Sequence, residues 1–319
     1  MAKRWRGVLC GICMALMLAG CGDAEEEKVQ IVEREDIADQ EAKQEDTGAP
    51  EEDAQEKPEE SDVPEETAPE DGSTGDAGGK PAVVTIEEEK QEYTEGEVLI
   101  MTTVYDHVTV AVEGNEAATQ AIAETFEERA QAFQESIADS VEWAKQDTLV
   151  TDSGMSYSEE REYAVARNDG RILSFAYSSS GFEGGAHGYY MEYGLNFDAE
   201  TGQVLTIADI AQDEAAFQDI CVQEMLRQCA DLKAQGLLFD EEILQTAATG
   251  GLQGIMESKM EGEEWYFTEK GIRFISNIYE IAPYAAGNFM FDIPYEMINE
   301  TLKEEYRGTG SDSRAAQSE

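Results

Sequence analysis

From Cys21 to Glu92 the chain carries no aromatic side chain. Residues 23–80 hold 23 acidic and 5 basic side chains, and Pro and Gly gather near 58–81. Such a stretch cannot bury enough apolar surface to offset the entropy of ordering it. Its like charges repel and extend it. Residues 21–88 are therefore expected to be a disordered acidic tether. A fold has to be built from about residue 89 to 305, and 306–319 reads as a disordered tail.

The first residues point to an address. Lys3, Arg4 and Arg6 form a positive end, and Gly7 to Leu18 is a short apolar run. The run is too short to span a bilayer comfortably. It ends in Leu18-Ala19-Gly20-Cys21, which resembles the bacterial lipoprotein signal. The resemblance implies cleavage after residue 20 and diacylation of the Cys21 sulfur by palmitate-like chains. Two acyl chains suffice for stable anchoring. The expected location is the extracytoplasmic face of the bacterial cell membrane, with Cys21 as the membrane partner.

The formal charge is −48. Setting aside the tether's 23 acids and 5 bases and the three leading bases leaves about −33 on residues 81–319. Nucleic acid is excluded as a partner, because it needs a basic footprint. Cationic partners are favoured through steering, and the charge also serves solubility. Cys10 and Cys13 leave with the signal. Cys221 and Cys229 lie eight apart in one helical pattern, so about 12 Å at the helical rise. A disulfide needs less than about 7 Å, so both read as buried small hydrophobes.

The folded part reads as α+β: antiparallel sheets packed by long amphipathic helices, in two subdomains, 89–177 and 178–305. Val98–Tyr105 and Val108–Val112 are β-branched runs broken at Asp106-His107, by a bulge or a tight hairpin. Asn115 caps a helix to about Lys145, with Ile122, Phe126, Phe133, Ile137 and Val141 in one stripe. Asn168-Asp169-Gly170 turns a hairpin. Thr206 and Asp209 make a capping box, and a second helix covers about 214–235. A shorter helix covers 240–248, with Gly250-Gly251 as its end. Trp265–Phe267, Ile272–Phe274 and Phe289–Phe291 are strands, and Pro294 opens a last helix through about Glu304.

The least generic stretch is Ser178 to Gly188, a glycine-dense loop bearing His187, one of two histidines. After it Tyr189, Met191, Tyr193, Leu195 and Phe197 alternate with polar residues, the period of a half-buried strand. His187 reads either as a partner contact or as a cap on backbone groups in a tight turn. Tyr279 to Gly287 sets two tyrosines and Pro283 in a loop between strands, a setting suited to recognition. Ser180, His187 and Asp198 are conceivable as a nucleophilic triad, but triads rest on geometry, and no G-x-S-x-G elbow is present. No zinc or calcium pattern appears, so neither metal nor cofactor is expected.

Gly184-Gly185-Ala186-His187-Gly188, Asn196-Phe197-Asp198 with Thr201-Gly202, and Leu205-Thr206 resemble the extracytoplasmic module of RsiV-type proteins. So do Trp265-Tyr266-Phe267, Tyr284-Ala285-Ala286-Gly287 and Phe291-Asp292-Ile293-Pro294-Tyr295. That family includes lysozyme-sensing anti-sigma factors and the N-terminal module of PdaC-type peptidoglycan deacetylases. The resemblance covers about 90–300. The chain shows neither a sigma-binding domain with a transmembrane helix nor a following deacetylase domain, so the expected inheritance is binding alone. Gly185, Ala186, His187, Pro283 and Tyr284 are the ligand-binding candidates it implies. We expect a monomeric, non-enzymatic surface lipoprotein capturing a lysozyme-like cationic protein or a peptidoglycan ligand. The alternatives are a cell-wall hydrolase and a structural surface protein without a specific ligand.

Overall fold

The computed structural model describes residues 79–245 and 250–308. The expected signal, Cys21, the expected tether up to residue 78 and the expected tail from 309 lie outside the described residues. Tyr306, expected to open the disordered tail, is instead buried at the end of a 3-10 turn and donates its hydroxyl to Asp198. The first strand, β1 (Val83–Glu95), already begins inside the segment expected to be tether. It pairs along its whole length with β2 (Val98–Ala111), antiparallel, around Gly96. Composition misses β1 because an edge strand is held by backbone bonds and tolerates charge on its flank. β2 runs straight through Asp106-His107, which pair with Glu88 and Glu87. The irregularity lies at Tyr93/Thr94 instead.

Helix α1 (Glu116–Ala144) follows, capped by the Asn115 carboxamide oxygen, which accepts from the Ala118 amide at 3.1 Å. A short α2 (Thr148–Ser153) then delivers β3 (Tyr157–Asn168). The return along α1 sets β3 parallel to β2, since a parallel neighbour needs a crossover of this length. The expected all-antiparallel sheet thus contains one parallel pair. β4 (Ile172–Phe182) and β5 (Tyr189–Asp198) complete a sheet in the order β1-β2-β3-β4-β5. Ile122, Phe126, Phe133 and Ile137 of α1 bury against it with Tyr163, Phe175, Leu195 and Phe197.

The sheet ends at Asp198, so the expected boundary at 177/178 falls in the middle of β4. The second layer comprises α3 (Ile207–Ile210), α4 (Glu214–Ala234), α5 (Glu241–Gln245) and α6 (Gly251–Ser258). With them go β6 (Trp265–Phe267), β7 (Gly271–Ser276), β8 (Phe289–Pro294) and α7 (Tyr295–Ile298). Thr206 and Asp209 form the expected capping box at α3. Gly250, in the left-handed region, opens α6. The last helix stops at Ile298, well short of Glu304. Leu302 turns extended and bridges Ala211, so the chain continues in two 3-10 turns.

The second core gathers Phe217, Cys221, Met225 and Cys229 of α4 with Phe267, Phe274 and Phe291 of the three-stranded sheet. Both cysteines are buried free thiols. The two sheets meet closely at β5. Gly194 donates its amide to the Glu263 carbonyl at 2.6 Å, and a Cβ there would lie 1.8 Å from the Trp265 carbonyl oxygen. Asn196 donates to that same carbonyl oxygen at 3.1 Å and accepts from the Phe267 amide at 3.1 Å. The last half of β5 is therefore buried on both faces, not on one. Among the described residues no helix is long and apolar enough to cross a membrane.

Candidate functional site

Two candidate loops come together where the layers meet. The 182–188 loop leaves β4 through Gly184 and Gly185, whose φ of 88° and 92° suit glycine. Gly185, Ala186 and His187 stand exposed. On the other side Pro283 caps a one-turn 3-10 helix, Tyr284–Ala286, that holds Tyr284 toward the first loop. The His187 and Tyr284 rings stack with centroids 3.9 Å apart at 23°.

A third ring completes the patch. Tyr279 lies 6.0 Å from His187 and 5.8 Å from Tyr284, centroid to centroid. His187 Nδ1 faces the Gly188 carbonyl at 2.8 Å. A carbonyl only accepts, so Nδ1 donates, and in the neutral ring Nε2 accepts from the Tyr279 hydroxyl at 3.0 Å. Tyr279 is the one non-glycine described residue at positive φ, 67°, and it is 53% exposed. Its backbone is strained so that a large ring faces water, a combination typical of binding sites.

The turn under Tyr279 is fastened from within. Lys259 is 2% exposed, and its Nζ donates to Glu280 Oε2 at 2.6 Å, with Glu264 at 3.5 Å. The same Glu280 oxygen accepts from the Ser276 hydroxyl and the Asn277 amide, each at 2.8 Å. Asn277 in turn grips β5, accepting from the Glu192 amide at 2.7 Å and donating to the Glu192 carbonyl at 3.1 Å. Burial pushes the Glu264 carboxyl above its ordinary range, against the pull of Lys259.

A second polar cluster backs the glycine loop. Tyr189 donates its hydroxyl to Glu159, and Ser140 of α1 donates to Glu183. Burial raises the Glu159 carboxyl above its ordinary value, and the Glu183 charge adds to this. At the layer junction, Arg129 of α1 bonds Glu263 and lies 5.1 Å over the Tyr177 ring. Tyr177 donates to the other Glu263 oxygen at 2.5 Å.

The triad geometry is absent. His187 spends both ring nitrogens on Gly188 and Tyr279. Asp198 sits at the opposite end of β5, holding Arg171 at 2.7 Å and the Tyr306 hydroxyl at 2.8 Å. Ser180, His187 and Asp198 do not converge. Among the described residues no three His, Cys, Asp or Glu side chains gather as a metal site.

Of the five candidates the structure brings His187 and Tyr284 together, with Gly185 and Ala186 exposed beside His187 in sequence and Pro283 at the N-cap of the Tyr284 turn; Cys21 lies outside the described residues. Tyr279, Lys259 and Glu280 were not among the candidates. The signal for Tyr279 was its place four residues before Pro283, in the same loop. Lysine 259 gives no signal, because a lysine among glutamates reads as a solvated charge.

Residues 108–190 match the family model described as Deacetylase PdaC. Residues 208–296 match DUF3298, a protein family of unknown function. His187 lies in the stretch matched by the first model, and Tyr279 and Tyr284 in the stretch matched by the second, so the patch is shared between the two matches. A DUF3298-family crystal structure from Bacteroides fragilis NCTC 9343 aligns with a TM-score of 0.52 at 19% identity, over 71% of this chain and 96% of that one. Another from Pseudomonas aeruginosa PAO1 gives 0.47 at 18% identity, over 72% and 98%. The Bacteroides likeness speaks to the fold alone. No curated protein matches the chain. The matches agree with the PdaC- and RsiV-like module inferred from the motifs.

Proposed function

We propose that this PdaC/DUF3298-type chain is a binding module of a lipid-anchored bacterial surface protein, capturing a lysozyme-like cationic protein. The single observation that carries the reading is the His187–Tyr284 stack with exposed Tyr279 beside it. Rings already packed on one another lose little freedom on binding, and clustered aromatics are the usual energetic centres of interfaces. The charge of about −33 on residues 81–319 supports a cationic partner by speeding encounter. The resemblance to lysozyme-sensing modules supports the partner class.

Surface-binding kinetics with lysozyme test this. Tyr284→Ala should raise the off-rate at least about tenfold, roughly 1.4 kcal/mol, and leave the on-rate nearly unchanged. Raising salt from 0.1 to 1 M shortens the Debye length from about 10 to about 3 Å, so it should slow association instead. Parent-like binding by Tyr284→Ala would remove the patch from the interface. Labelled peptidoglycan serves as a second arm. Fragments released by the parent but not by His187→Ala would replace capture with hydrolysis. Anchoring has its own readout: Cys21→Ala should move the protein from the membrane to the soluble fraction.

A further inference from the structure

The face of the five-stranded sheet turned away from α1 is only partly covered by the second layer. A trough of about 490 Å³ runs between them. Its floor is short side chains: Ala164 pairs with Ala176, and Ser178 follows on β4. Tyr190 and Glu192 of β5 rise on one side, and Tyr266, Arg273 and Met290 of the second sheet on the other.

The register lines up charge across this floor. Ser178 pairs with Glu162 on β3 and with Glu192 on β5, so all three point the same way. At a strand spacing of about 4.8 Å the two glutamates flank Ser178 roughly 10 Å apart at their backbones. Asp106 stands beyond Glu162, where the β2–β3 ladder stops, and its carboxylate accepts from the Tyr163 amide at 2.8 Å. Like charges in neighbouring positions of a sheet destabilise it. Among the described residues the one cation lining the trough is already taken: Arg273 bonds both Asp292 oxygens, at 2.6 and 2.9 Å. Glu192 accepts from the Tyr190 hydroxyl at 2.7 Å, and the Glu162 carboxylate has no partner among the described residues.

We propose that this trough receives an arginine- or lysine-bearing extended segment of a cationic protein. Its head group would lie over Ser178 between Glu162 and Glu192, and the stem would run on the Ala164–Ala176 floor. Charge complementarity selects this occupant, and the exposed Tyr190 ring adds a face on which a cation is held. The inference rests on the reading of the partner as cationic and assigns it a second contact, apart from the His187–Tyr284 patch.

The test uses the full chain and a fluorescent hexa-arginine peptide at 0.15 M salt, read by anisotropy. The Glu162→Gln/Glu192→Gln variant should raise Kd at least tenfold. Glu128→Gln/Asp139→Asn, an equal charge change on exposed positions of α1, should raise it less than threefold. Ala176→Leu should fill the floor and weaken binding at least fivefold with an unchanged melting temperature. Equal weakening by the two double variants would overturn the proposal, as would no saturable binding of the peptide by the parent. Tyr284→Ala separates the two readings. It should leave the peptide Kd unchanged even where it abolishes lysozyme capture. Loss of peptide binding in Tyr284→Ala would place the peptide on the patch and overturn the trough.

Discussion

The two layers of the fold solve one packing problem by different means. The first lays a 29-residue helix over five long strands and fills the gap with rings. Phe126 alone meets Tyr163, Phe175 and Phe197 at 5.3–5.7 Å between centroids. The second wraps α4 in helices and strands of three to eight residues. Short elements have few repeats with which to define their own register. Point fasteners hold them instead: Lys259 with Glu280 inside the layer, and Arg167 with the Tyr295 hydroxyl and Asp198 with the Tyr306 hydroxyl across to the first. The aromatic patch takes one ring from the first layer's loop and two from the fastened turns of the second.

The largest effect should come from the ring-packed layer. Phe175 is fully buried and meets three other aromatic rings. Phe175→Ala should lower unfolding stability by about 4 kcal/mol, in the range for aromatic truncation in a core. Urea denaturation followed by tryptophan fluorescence measures it. A loss under about 1.5 kcal/mol would mean the layer repacks freely and is not a jigsaw of rings.

Next comes the fastened layer. Lys259→Ala leaves Glu280 and Glu264 without their buried cation and should remove about 3 kcal/mol, the low end for breaking a buried pair, because both carboxylates are about a quarter exposed. The same variant should loosen the Tyr279 turn and weaken lysozyme capture. Stability within 1 kcal/mol of the parent would show that the second layer, too, is held mainly by its apolar core, and the contrast between the layers would collapse.

A smaller effect distinguishes the layers by pH. Glu159 lies in the first layer, 9% exposed, with its pKa raised above the ordinary 4.5 by burial. A carboxyl with a raised folded pKa binds more protons in the native state. Its contribution is full below about 4.5 and is lost as pH climbs through the raised value. Glu159→Gln keeps an acceptor for the Tyr189 hydroxyl and removes the titration. Its melting temperature should match the parent's near pH 4 and exceed it by a few degrees at pH 7. A parent curve that instead gains stability between pH 5 and 7 relative to the variant would show the carboxylate to be well solvated.

The layers also differ in how openly the sequence displays them. The Ile122–Phe126–Phe133–Ile137 stripe repeats over about four turns, and Asn168-Asp169-Gly170 is a strong local turn, so α1 and the β3–β4 hairpin are plain in the sequence. β1 is hidden because backbone pairing leaves no hydropathy pattern under Glu87-Glu88-Glu89. The parallel β2–β3 pairing is hidden because register between distant strands is set by the crossover, not by either strand. The end of α7 is decided by Leu302 bridging Ala211, a contact 91 positions away. The two candidate loops stand out by glycine density and by aromatics between strands. Their stacking does not, since it joins residues about a hundred positions apart through a Lys259 network that looks like surface charge.

Tyr279 offers the finest test, because strain and recognition pull in opposite directions there. A non-glycine residue in the left-handed region costs about 1–2 kcal/mol. Tyr279→Gly releases that strain but adds about 0.5–1 kcal/mol of unfolded-state entropy. The net change should be a stabilisation of roughly 0.5 kcal/mol. Tyr279→Ala retains the strain and should be less stable than the glycine variant by roughly 0.5 kcal/mol, the strain less the entropy cost of glycine. Both lose the ring and its bond to His187, so both should weaken lysozyme capture to the same degree. Calorimetry and binding kinetics on the pair separate the effects. If the glycine variant is the less stable of the two, the turn is not strained and the 67° φ is simply its resting shape. If both bind like the parent, the exposed ring serves no partner, and the patch reduces to the His187–Tyr284 stack.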